Sequence, residues 1–386
     1  MPVDIAVISI APAPYRLHVL RRIARELPQV RVHSIFTHAL DRTKWHDWRI
    51  SVDAEVNPVH FSQYALLGRR TVCSASIPHY RAIRDYLVEH KVKLAVLHGY
   101  SDLTRMLLLR WAKRADLPML VTADSNVFAV GQATGLKRWI KQRFMSWLIA
   151  TAGGFLPAGT CGRAYLRAYV DHDKPVFLFP FEPDYEALAH PDPQAVAGFA
   201  GKYRLTPGRR RFLFCGRLIP VKCLDVLLDA FARMAESRPE WDLVVAGDGP
   251  LLETMKSRVP AGLKARVIFT GFLQFEETVP CYHNCDILVL PSAFEPWALV
   301  VNEALASGLA VIATEVVGAA ADLVTHRVNG LIVPPRNAAA LAEAMTEASR
   351  PEILAAMKAQ APTALKRWRD AADPIEGLRA ALRHFV

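Results

Sequence analysis

The chain has 386 residues, of which 52% are hydrophobic and 22% are charged, and its formal net charge is +10. That length exceeds one ordinary core and predicts two α/β domains, while the composition excludes a disordered chain. The positive charge is spread through globular sequence without a zinc finger, ribonucleoprotein motif or basic tail, so no nucleic acid is expected as a partner.

Short apolar runs alternate with longer amphipathic runs in the first half of the chain, which is the pattern of stacked βαβ units. Strands are predicted at residues 3–10, 30–36, 94–97 and 119–122, and residues 176–179 close this half. Helices are predicted at residues 15–27, 78–90, 101–115, 136–150 and 161–169. Residues 41–70 show no clear period, and we expect them to form loops.

The alternation restarts after a proline-rich break at residues 180–183. Strands are predicted at residues 211–215, 243–246, 267–269, 287–290, 310–313 and 331–333. Helices are predicted at residues 223–236, 251–257, 276–285, 296–307 and 337–348, and residues 351–386 read as helical with a break at Pro374.

This order of elements predicts an α/β protein with two doubly wound, Rossmann-like domains that face each other across a cleft. The first domain is expected over residues 1–180 and is completed by a C-terminal helix of about residues 370–386, and the second covers residues 181–369. Ligands of such sheets bind beyond the carboxyl ends of the strands, so the crevice between the domains is the expected site.

The cysteines and the N-terminus indicate a cytoplasmic protein. No apolar run reaches the roughly 18 residues of a membrane-spanning helix, and the first residues lack the basic flank and cleavage site of a signal peptide. The six cysteines contain no Cys-x-x-Cys pair and are expected to be reduced. Cys281, His283 and Cys285 have the wrong spacing for a zinc site, so we expect no metal there.

Residues 287–314 combine a buried strand, a loop and a helix that is predicted to begin at Pro296. The amide groups of Trp297, Ala298 and Leu299 would then lie at the positive end of the helix, where a diphosphate can bind.

Two carboxylates belong to this segment. Glu295 and Glu303 would lie about 12 Å apart along one helix axis, at about 1.5 Å per residue. That distance is close to the length of a nucleotide sugar, so the two carboxylates could accept hydrogen bonds from hydroxyl groups at both of its ends. The alternative interpretation is one capping and one solvated glutamate.

Two cations follow the strand of residues 211–215. Gly216 permits a tight turn, and Arg217 and Lys222 then stand beyond the carboxyl end of the strand. Guanidinium and ammonium groups in that place suit a diphosphate leaving group, whose developing charge they would stabilise. The alternative is a pair of exposed basic residues on a loop.

A glycine-rich turn, Gly247-Asp248-Gly249-Pro250, also follows a strand and begins a helix. It lacks the third glycine and the later acidic residue of a dinucleotide fingerprint, which excludes NAD. The turn either lets a nucleotide approach the backbone or is an ordinary strand–helix connection.

These pieces resemble one family when taken together. The joint pattern is Gly216-Arg217-Leu218, Lys222, Gly247-Asp248-Gly249-Pro250, Pro291-Ser292, Glu295-Pro296, Glu303-Ala304, Gly308 and Asn329-Gly330-Leu331. It is similar to glycosyltransferase family 4 (glycosyl transferases group 1), which implies a GT-B fold. The resemblance further implies a retaining, metal-independent transferase of cell-surface polysaccharide or glycolipid biosynthesis.

The resemblance also implies residue roles. Arg217 and Lys222 match positions that hold the donor diphosphate, Glu303 matches the ribose-binding glutamate, and Glu295 matches the glutamate beside the donor sugar. His98 matches a histidine near the reaction centre. Further donor-binding candidates are Gly216, Gly247, Gly249, Phe272, Trp297, Ala298 and Leu299, and candidates for the acceptor or a closing loop are Tyr15, Arg16 and Asp124.

Three positions depart from the family pattern. Cys223 stands where glycine usually follows the lysine, Trp297-Ala298 replaces Phe-Gly, and Asp322 replaces a common glutamate. We expect all three to be tolerated. The last helices, including Trp368, resemble the segment that crosses back to the first domain.

The expected partners are a nucleotide-sugar donor, which is a co-substrate and not a cofactor, and a carbohydrate or lipid-linked acceptor. A nucleotide-sugar 2-epimerase and a non-catalytic nucleotide-sugar-binding subunit remain alternatives with the same architecture.

The predicted helix of residues 136–150 has a basic and an apolar side. Its cations are Lys137, Arg138, Lys141 and Arg143, and its apolar face is expected to contain Ile140, Phe144, Trp147 and Leu148. That face either packs on its own sheet or lies on an anionic membrane surface, which would make the protein peripheral at the inner face of the membrane.

Overall fold

The computed structural model describes residues 2–37, 52, 54–61, 73–100, 102–123, 125–129, 135–169 and 173–386. The chain divides into two compact units. The first unit contains Met1–Glu182 together with Ala372–Val386, and the second unit contains Pro183–Ala371.

The strands, in chain order, are β1 (Val3–Ser9), β2 (Val30–Phe36), β3 (Pro58–His60), β4 (Leu94–His98), β5 (Met119–Ala123), β6 (Gly154–Pro157), β7 (Arg210–Cys215), β8 (Trp241–Ala246), β9 (Val267–Gly271), β10 (Ile287–Leu290), β11 (Ala310–Thr314) and β12 (Gly330–Val333).

The helices are α1 (Pro14–Glu26), α2 (Cys73–Glu89), α3 (Leu103–Arg114), α4 (Gly135–Thr151), α5 (Thr160–Arg167), α6 (Tyr185–Ala189), α7 (Pro193–Lys202), α8 (Leu224–Met234), α9 (Leu252–Arg258), α10 (Phe275–His283), α11 (Leu299–Ala306), α12 (Gly318–Leu323), α13 (Ala338–Ala348), α14 (Pro351–Ala371) and α15 (Pro374–Phe385).

Both units contain a parallel sheet of six strands with the same topology. The strand orders are β3-β2-β1-β4-β5-β6 and β12-β11-β10-β7-β8-β9. The inner strands β4, β8 and β10, none of them at a sheet edge, are buried along their whole length, because helices cover both faces of a parallel sheet. In each order the chain first adds strands in one direction and then continues on the other side of the starting strand. Each sheet therefore has a switch point, between β1 and β4 and between β7 and β10.

Several elements differ from the sequence-based prediction. The short strands β3 and β6 were not predicted, and only Val176 of residues 176–179 makes a β-bridge, to Phe155 of β6. Helix α2 begins at Cys73 and therefore contains Pro78. The predicted helix start at Pro296 is wrong, because α11 begins at Leu299.

Helix α15 completes the first unit. Ile375, Leu378 and Ala381 are buried in its hydrophobic core. The backbone of Gly377 lies so close to that of Leu178 that an added Cβ would stand 1.9 Å from the Leu178 carbonyl oxygen. Trp368, which was expected to lie in the crossing segment, belongs to α14 of the second unit.

Arg22 forms ion pairs at both points where the chain passes between the two units, at Glu182 and at Asp373. The Arg22 guanidinium of α1 forms ion pairs with Glu182 and with Asp373, the latter at 2.9 Å between Nη1 and Oδ2. Asp373 also caps α15 by accepting hydrogen bonds from the amides of Ile375 and Glu376. Among the helices that the structure describes, none combines the length and hydropathy needed to cross a membrane.

Candidate active site

The switch point of the second sheet brings together the loops that follow β7 and β10. Gly216 and Arg217 come directly after β7, and Pro291 and Ser292 come directly after β10. Because the strands are parallel, these loops lie at the same edge of the sheet.

Lys222 and Glu295 form an ion pair at this edge. Lys222 ends a single 3-10 turn, Pro220–Lys222, in the loop after β7. The Ser292 hydroxyl donates to Glu295 Oε1 at 2.8 Å, and the Thr314 hydroxyl donates to the Ser292 carbonyl at 2.7 Å. The sequence motif singled out Lys222 and Glu295 separately and did not predict that they pair, and it assigned no role to the two hydroxyl groups beside them.

Glu303 has a separate partner. The Tyr282 hydroxyl of α10 donates to Glu303 Oε2 at 2.7 Å, and Tyr282 is fully buried. Burial raises the pKa of Glu303, while the hydrogen bond from Tyr282 lowers it, and the net shift is upward. Burial and the nearby Glu303 carboxylate raise the pKa of the Cys215 thiol to about 12, so this cysteine is not a nucleophile at neutral pH.

The backbone before α11 is not helical. Ala298 lies in the left-handed region with φ +86°, and a residue in that conformation cannot belong to the helix that follows it. Pro296 is consequently not the first helical residue, and Glu295 does not share a helix axis with Glu303. The predicted separation of about 12 Å along one axis is therefore wrong. Of the three amides that were expected at the helix end, only that of Leu299 belongs to the first turn.

Trp297 packs within the second unit. Its side chain is buried, its indole donates to Asn302 Oδ1 at 3.1 Å, and its ring lies 5.3 Å from that of Trp368. The Trp297 carbonyl accepts from the Ala319 amide at 2.8 Å. These contacts fix the loop between Glu295 and α11.

Gly247 and Gly249, in the loop after β8, allow that loop to pack closely against the loop after β7. A Cβ on Gly247, whose φ is +140°, would stand 1.9 Å from the Gly216 carbonyl oxygen, and one on Gly249 would stand 2.6 Å from that of Leu218. The Leu218 amide donates to the Asp248 carbonyl at 2.9 Å. This close approach accounts for both glycines by backbone packing that holds the loop of Arg217 in place. Phe272, another predicted donor-binding residue, follows β9 and is half-buried.

The first unit has its own site at the switch point between β1 and β4. His98 is the last residue of β4, is buried, and has its Nδ1 atom 3.1 Å from the Thr122 hydroxyl. A small pocket there is lined by Ser9, Tyr15, Arg16, His98 and Phe181, among others. Burial, followed by the charges of Arg16 and Arg105, holds the pKa of His98 well below its ordinary value of 6.5, so the imidazole is neutral.

The remaining predicted residues of the first unit lie around this pocket. The Arg16 guanidinium donates to the Ala11 carbonyl at 3.0 Å and lies over the Tyr15 ring, which packs edge-on against Phe181. Arg105, which the sequence did not single out, is buried and donates to the His98 carbonyl at 3.0 Å. Asp124 lies outside the described residues.

Helix α4 does not have the single apolar face that was predicted. Met145, Leu148 and Ile149 are buried, whereas Leu136, Trp139 and Ile140 are 72%, 61% and 53% exposed. At 3.6 residues per turn the two sets lie on opposite sides of the helix. We call the exposed set the α4 apolar patch.

The cations of α4 fall into an exposed group and one residue that bonds within the first unit. Lys137, Arg138 and Arg143 are exposed, whereas the Lys141 ammonium donates to the Ala129 carbonyl and lies over the Tyr165 ring.

Within the described ranges, no group of three or more His, Cys, Asp or Glu side chains is placed to hold a metal ion. Cys281 and Cys285 are buried and carry free thiols.

Comparison with known proteins agrees with the fold and with the motif. Residues 209–350, all in the second unit, match the family described as glycosyl transferases group 1. The chain is 31% identical to the uncharacterized glycosyltransferase YqgM of Bacillus subtilis over 238 residues, which are 60% of this chain and 61% of that protein. It is 24% identical to the O-antigen chain mannosyltransferase C of Escherichia coli over 303 residues, 77% of each chain.

Among solved structures, HepE of Anabaena in complex with UDP superposes with a TM-score of 0.74 at 16% identity, covering 100% of this chain and 99% of that one. In the sequence comparison, this chain matches about three fifths of YqgM's own length. The second unit therefore contains a glycosyl transferases group 1 domain, and the chain has the GT-B fold. Both findings confirm the resemblance drawn from the sequence.

Proposed function

We propose that this protein is a retaining, metal-independent glycosyltransferase that moves a sugar from a nucleoside-diphosphate-sugar donor to an acceptor hydroxyl. The observation that carries the proposal is the set of charged groups at the switch point of a group 1 domain: Lys222 and Glu295 in one ion pair, with Glu303 held by Tyr282. A carboxylate and cations at a sheet switch point suit a ligand that carries both hydroxyl groups and phosphates.

The donor is proposed to bind with its diphosphate at Arg217 and Lys222, its ribose at Glu303 and its sugar at Glu295. In the reaction the bond between the anomeric carbon and the diphosphate oxygen breaks, and a bond from that carbon to the acceptor oxygen forms on the same face. The leaving diphosphate takes the acceptor's proton. Arg217, Lys222 and the first turn of α11 stabilise the charge that develops on it.

His98 is proposed to contact the donor sugar, with Tyr15 and Arg16 nearby in the first turn of α1, where the resemblance had implied a closing loop. A neutral imidazole can exchange hydrogen bonds with sugar hydroxyls without adding charge beside the anomeric carbon, and the low pKa of His98 supports this role. No side chain is proposed as a covalent nucleophile.

The ammonium and guanidinium groups are proposed to do the work that a divalent cation does in other phosphate-handling enzymes. Turnover should accordingly persist in excess EDTA. Loss of activity in EDTA with recovery on addition of Mg²⁺ or Mn²⁺ would show that a metal takes part.

The α4 apolar patch supports a membrane surface as a partner. Leu136, Trp139 and Ile140 are exposed, and the same helix exposes the cations Lys137, Arg138 and Arg143, which is the composition of a helix that lies in a membrane interface. We propose that the protein is cytoplasmic, binds anionic lipid at the inner face of the membrane through this patch, and uses a carbohydrate or lipid-linked acceptor of cell-surface polysaccharide biosynthesis.

A donor screen tests the proposed activity. UDP-, GDP-, ADP- and dTDP-sugars are screened for a rise in melting temperature, and the best is then incubated with candidate acceptors while nucleoside diphosphate release and the product's anomeric configuration are followed. A transferase releases nucleoside diphosphate and keeps the donor's anomeric configuration. Conversion of the donor to its epimer would identify a 2-epimerase, and binding without turnover a non-catalytic subunit.

The Arg217→Ala variant tests the site itself. We expect kcat/KM to fall at least about 100-fold, the scale for losing one electrostatic donor to a transition state. Arg258→Ala is the matched control, because Arg258 is exposed on α9 and pairs with Asp229. Near-normal turnover in Arg217→Ala would remove the proposed role of this loop.

A further inference from the structure

The Lys222 ammonium already has an anionic partner in the place proposed for the donor's diphosphate. Its ion pair with Glu295 is shielded from water, since the lysine side chain is 19% exposed and the glutamate side chain 7%. A pair with so little exposure is screened weakly by solvent and salt, so its attraction is stronger than that of a surface pair.

Glu295 cannot easily move away from this position. The Ser292 hydroxyl donates to the same carboxylate oxygen, Oε1, that pairs with Lys222, and Ser292 is fully buried. The Glu295 carbonyl accepts from the Gly318 amide at 3.1 Å, so the backbone is fixed as well. A diphosphate that reaches Lys222 must therefore bind close to a second negative charge.

We propose that Glu295 competes with the diphosphate for Lys222, and that this competition makes the site prefer the complete donor to the spent nucleoside diphosphate. The inference rests on the proposed function and deepens it. When the donor is intact, its sugar hydroxyls donate to the Glu295 carboxylate and replace the hydrogen bonds that the lysine withdraws. When the sugar has left, the carboxylate faces the diphosphate with no such compensation, and the product is expelled.

The experiment measures dissociation constants by calorimetry for UDP, GDP, UDP-glucose and GDP-mannose with the wild type and with Glu295→Gln. Glutamine keeps the size of the side chain and can still accept from Ser292, but it carries no charge. We expect the free diphosphate to bind at least about 5-fold more tightly to the variant, the lower end of typical coupling between two ligands. The corresponding nucleotide sugar should gain less or lose affinity, and kcat should fall.

Two further variants separate direct competition from other effects. Glu315→Gln removes the same charge from an exposed position just after β11 and should leave the affinity for the diphosphate within about twofold. Glu295→Asp keeps the charge but draws it back from Lys222, and it should tighten diphosphate binding by an intermediate factor. If Glu295→Gln does not fold, Glu295→Asp provides the test of the competition in its place.

The binding results distinguish failure of the proposed competition from failure of the proposed donor site. If UDP and GDP bind Glu295→Gln no more tightly than the wild type, or if Glu315→Gln tightens binding equally, the competition is refuted while the proposed function stands. If no UDP-, GDP-, ADP- or dTDP-sugar and none of the corresponding diphosphates binds the wild type, the proposed donor site fails, and the competition fails with it.

Discussion

Two residues of the candidate site hold a backbone conformation that side chains disfavour. Cys223 has φ +51° and Ala298 has φ +86°, and the first directly follows Lys222 while the second lies between Glu295 and α11. The left-handed region costs a residue with a Cβ roughly 1–2 kcal/mol. Both positions are those where the resembled family usually has glycine, so the structure supplies a physical reason for that preference.

Ala298→Gly should therefore stabilise the second unit by about 1 kcal/mol, because glycine relieves the strain and loses part of the gain through its freer unfolded state. The urea midpoint of unfolding measures the change. Ala356→Gly, at an exposed position inside α14, is the control and should destabilise by about 0.5–1 kcal/mol. A lower midpoint for Ala298→Gly would show that the methyl group contributes packing that exceeds the strain.

The raised pKa of Glu303 predicts a pH dependence of nucleotide binding. The carboxylate is the form that accepts hydrogen bonds from ribose, so affinity should fall as the pH drops through a pKa that lies above the ordinary 4.5. The effect of Glu303 on folding stability changes with pH in the opposite direction. Its contribution to stability is present below the unfolded pKa and is lost as the pH rises through the folded one.

The nucleotide-induced rise in melting temperature, measured against pH, tests this prediction. Glu303→Gln should flatten the acid limb of the curve. Tyr282→Phe should move it to higher pH, because it removes the hydrogen bond that lowers the pKa of Glu303. An unchanged acid limb in both variants would mean that another group controls it.

At the scale of elements, buried parallel strands were the easiest to predict, because they appear in the sequence as short continuous apolar runs. The bounds of β2 and β10 match the prediction. Strand β6 is only four residues long and contains glycine and proline, so its strand state depends on its neighbour β5 and not on its own sequence. The start of α11 was missed because proline usually favours the first helical position, and nothing in the sequence shows that Ala298 adopts a left-handed conformation.

Helix α4 carries the prediction for the membrane surface. The protein should co-sediment with anionic vesicles at low salt and less so as salt rises. Replacing Lys137, Arg138 and Arg143 with glutamine should weaken binding about 100-fold, at about 1 kcal/mol per cation, and Trp139→Gln should weaken it without changing the charge. Lys141 is left in place because it bonds within the first unit.

The matched control replaces Lys256, Arg258 and Lys264, three exposed cations of the second unit, with glutamine. If this control loses as much binding as the α4 variant, the attraction comes from net charge alone. If the wild type does not bind anionic vesicles at low ionic strength, the proposed membrane role of the α4 apolar patch is refuted.

On the scale of the whole molecule, the alternation of apolar and amphipathic runs was sufficient to predict two doubly wound sheets, and the strand orders came only from the structure. The motif singled out Arg217, Lys222, Glu295 and Glu303 from their order along the chain, and their roles stay predictions. The hydroxyl groups of Tyr282 and Ser292 remained without a role, since their importance depends on contacts between distant segments.

The first unit depends on α15 for its stability. Gly377→Ala should destabilise this unit by about 2 kcal/mol, because the methyl group would collide with the Leu178 carbonyl and force the helix outward. Gly198→Ala on α7, where an added Cβ meets nothing within 4 Å, is the control and should be neutral or stabilising. Hydrogen exchange, which reports on each unit separately, measures both. Equal protection of the first unit in Gly377→Ala and the wild type would contradict the prediction.

The place of α15 also reverses the order in which the halves can be finished during synthesis. Ile375, Leu378 and Ala381 are made after the whole second unit, so the core of the first unit stays incomplete while the second is made. At about 5–20 residues per second, the roughly 190 residues of the second unit occupy the ribosome for some 10–40 s. The half that is made second can therefore fold first, and the half that is made first needs protection from aggregation throughout that interval.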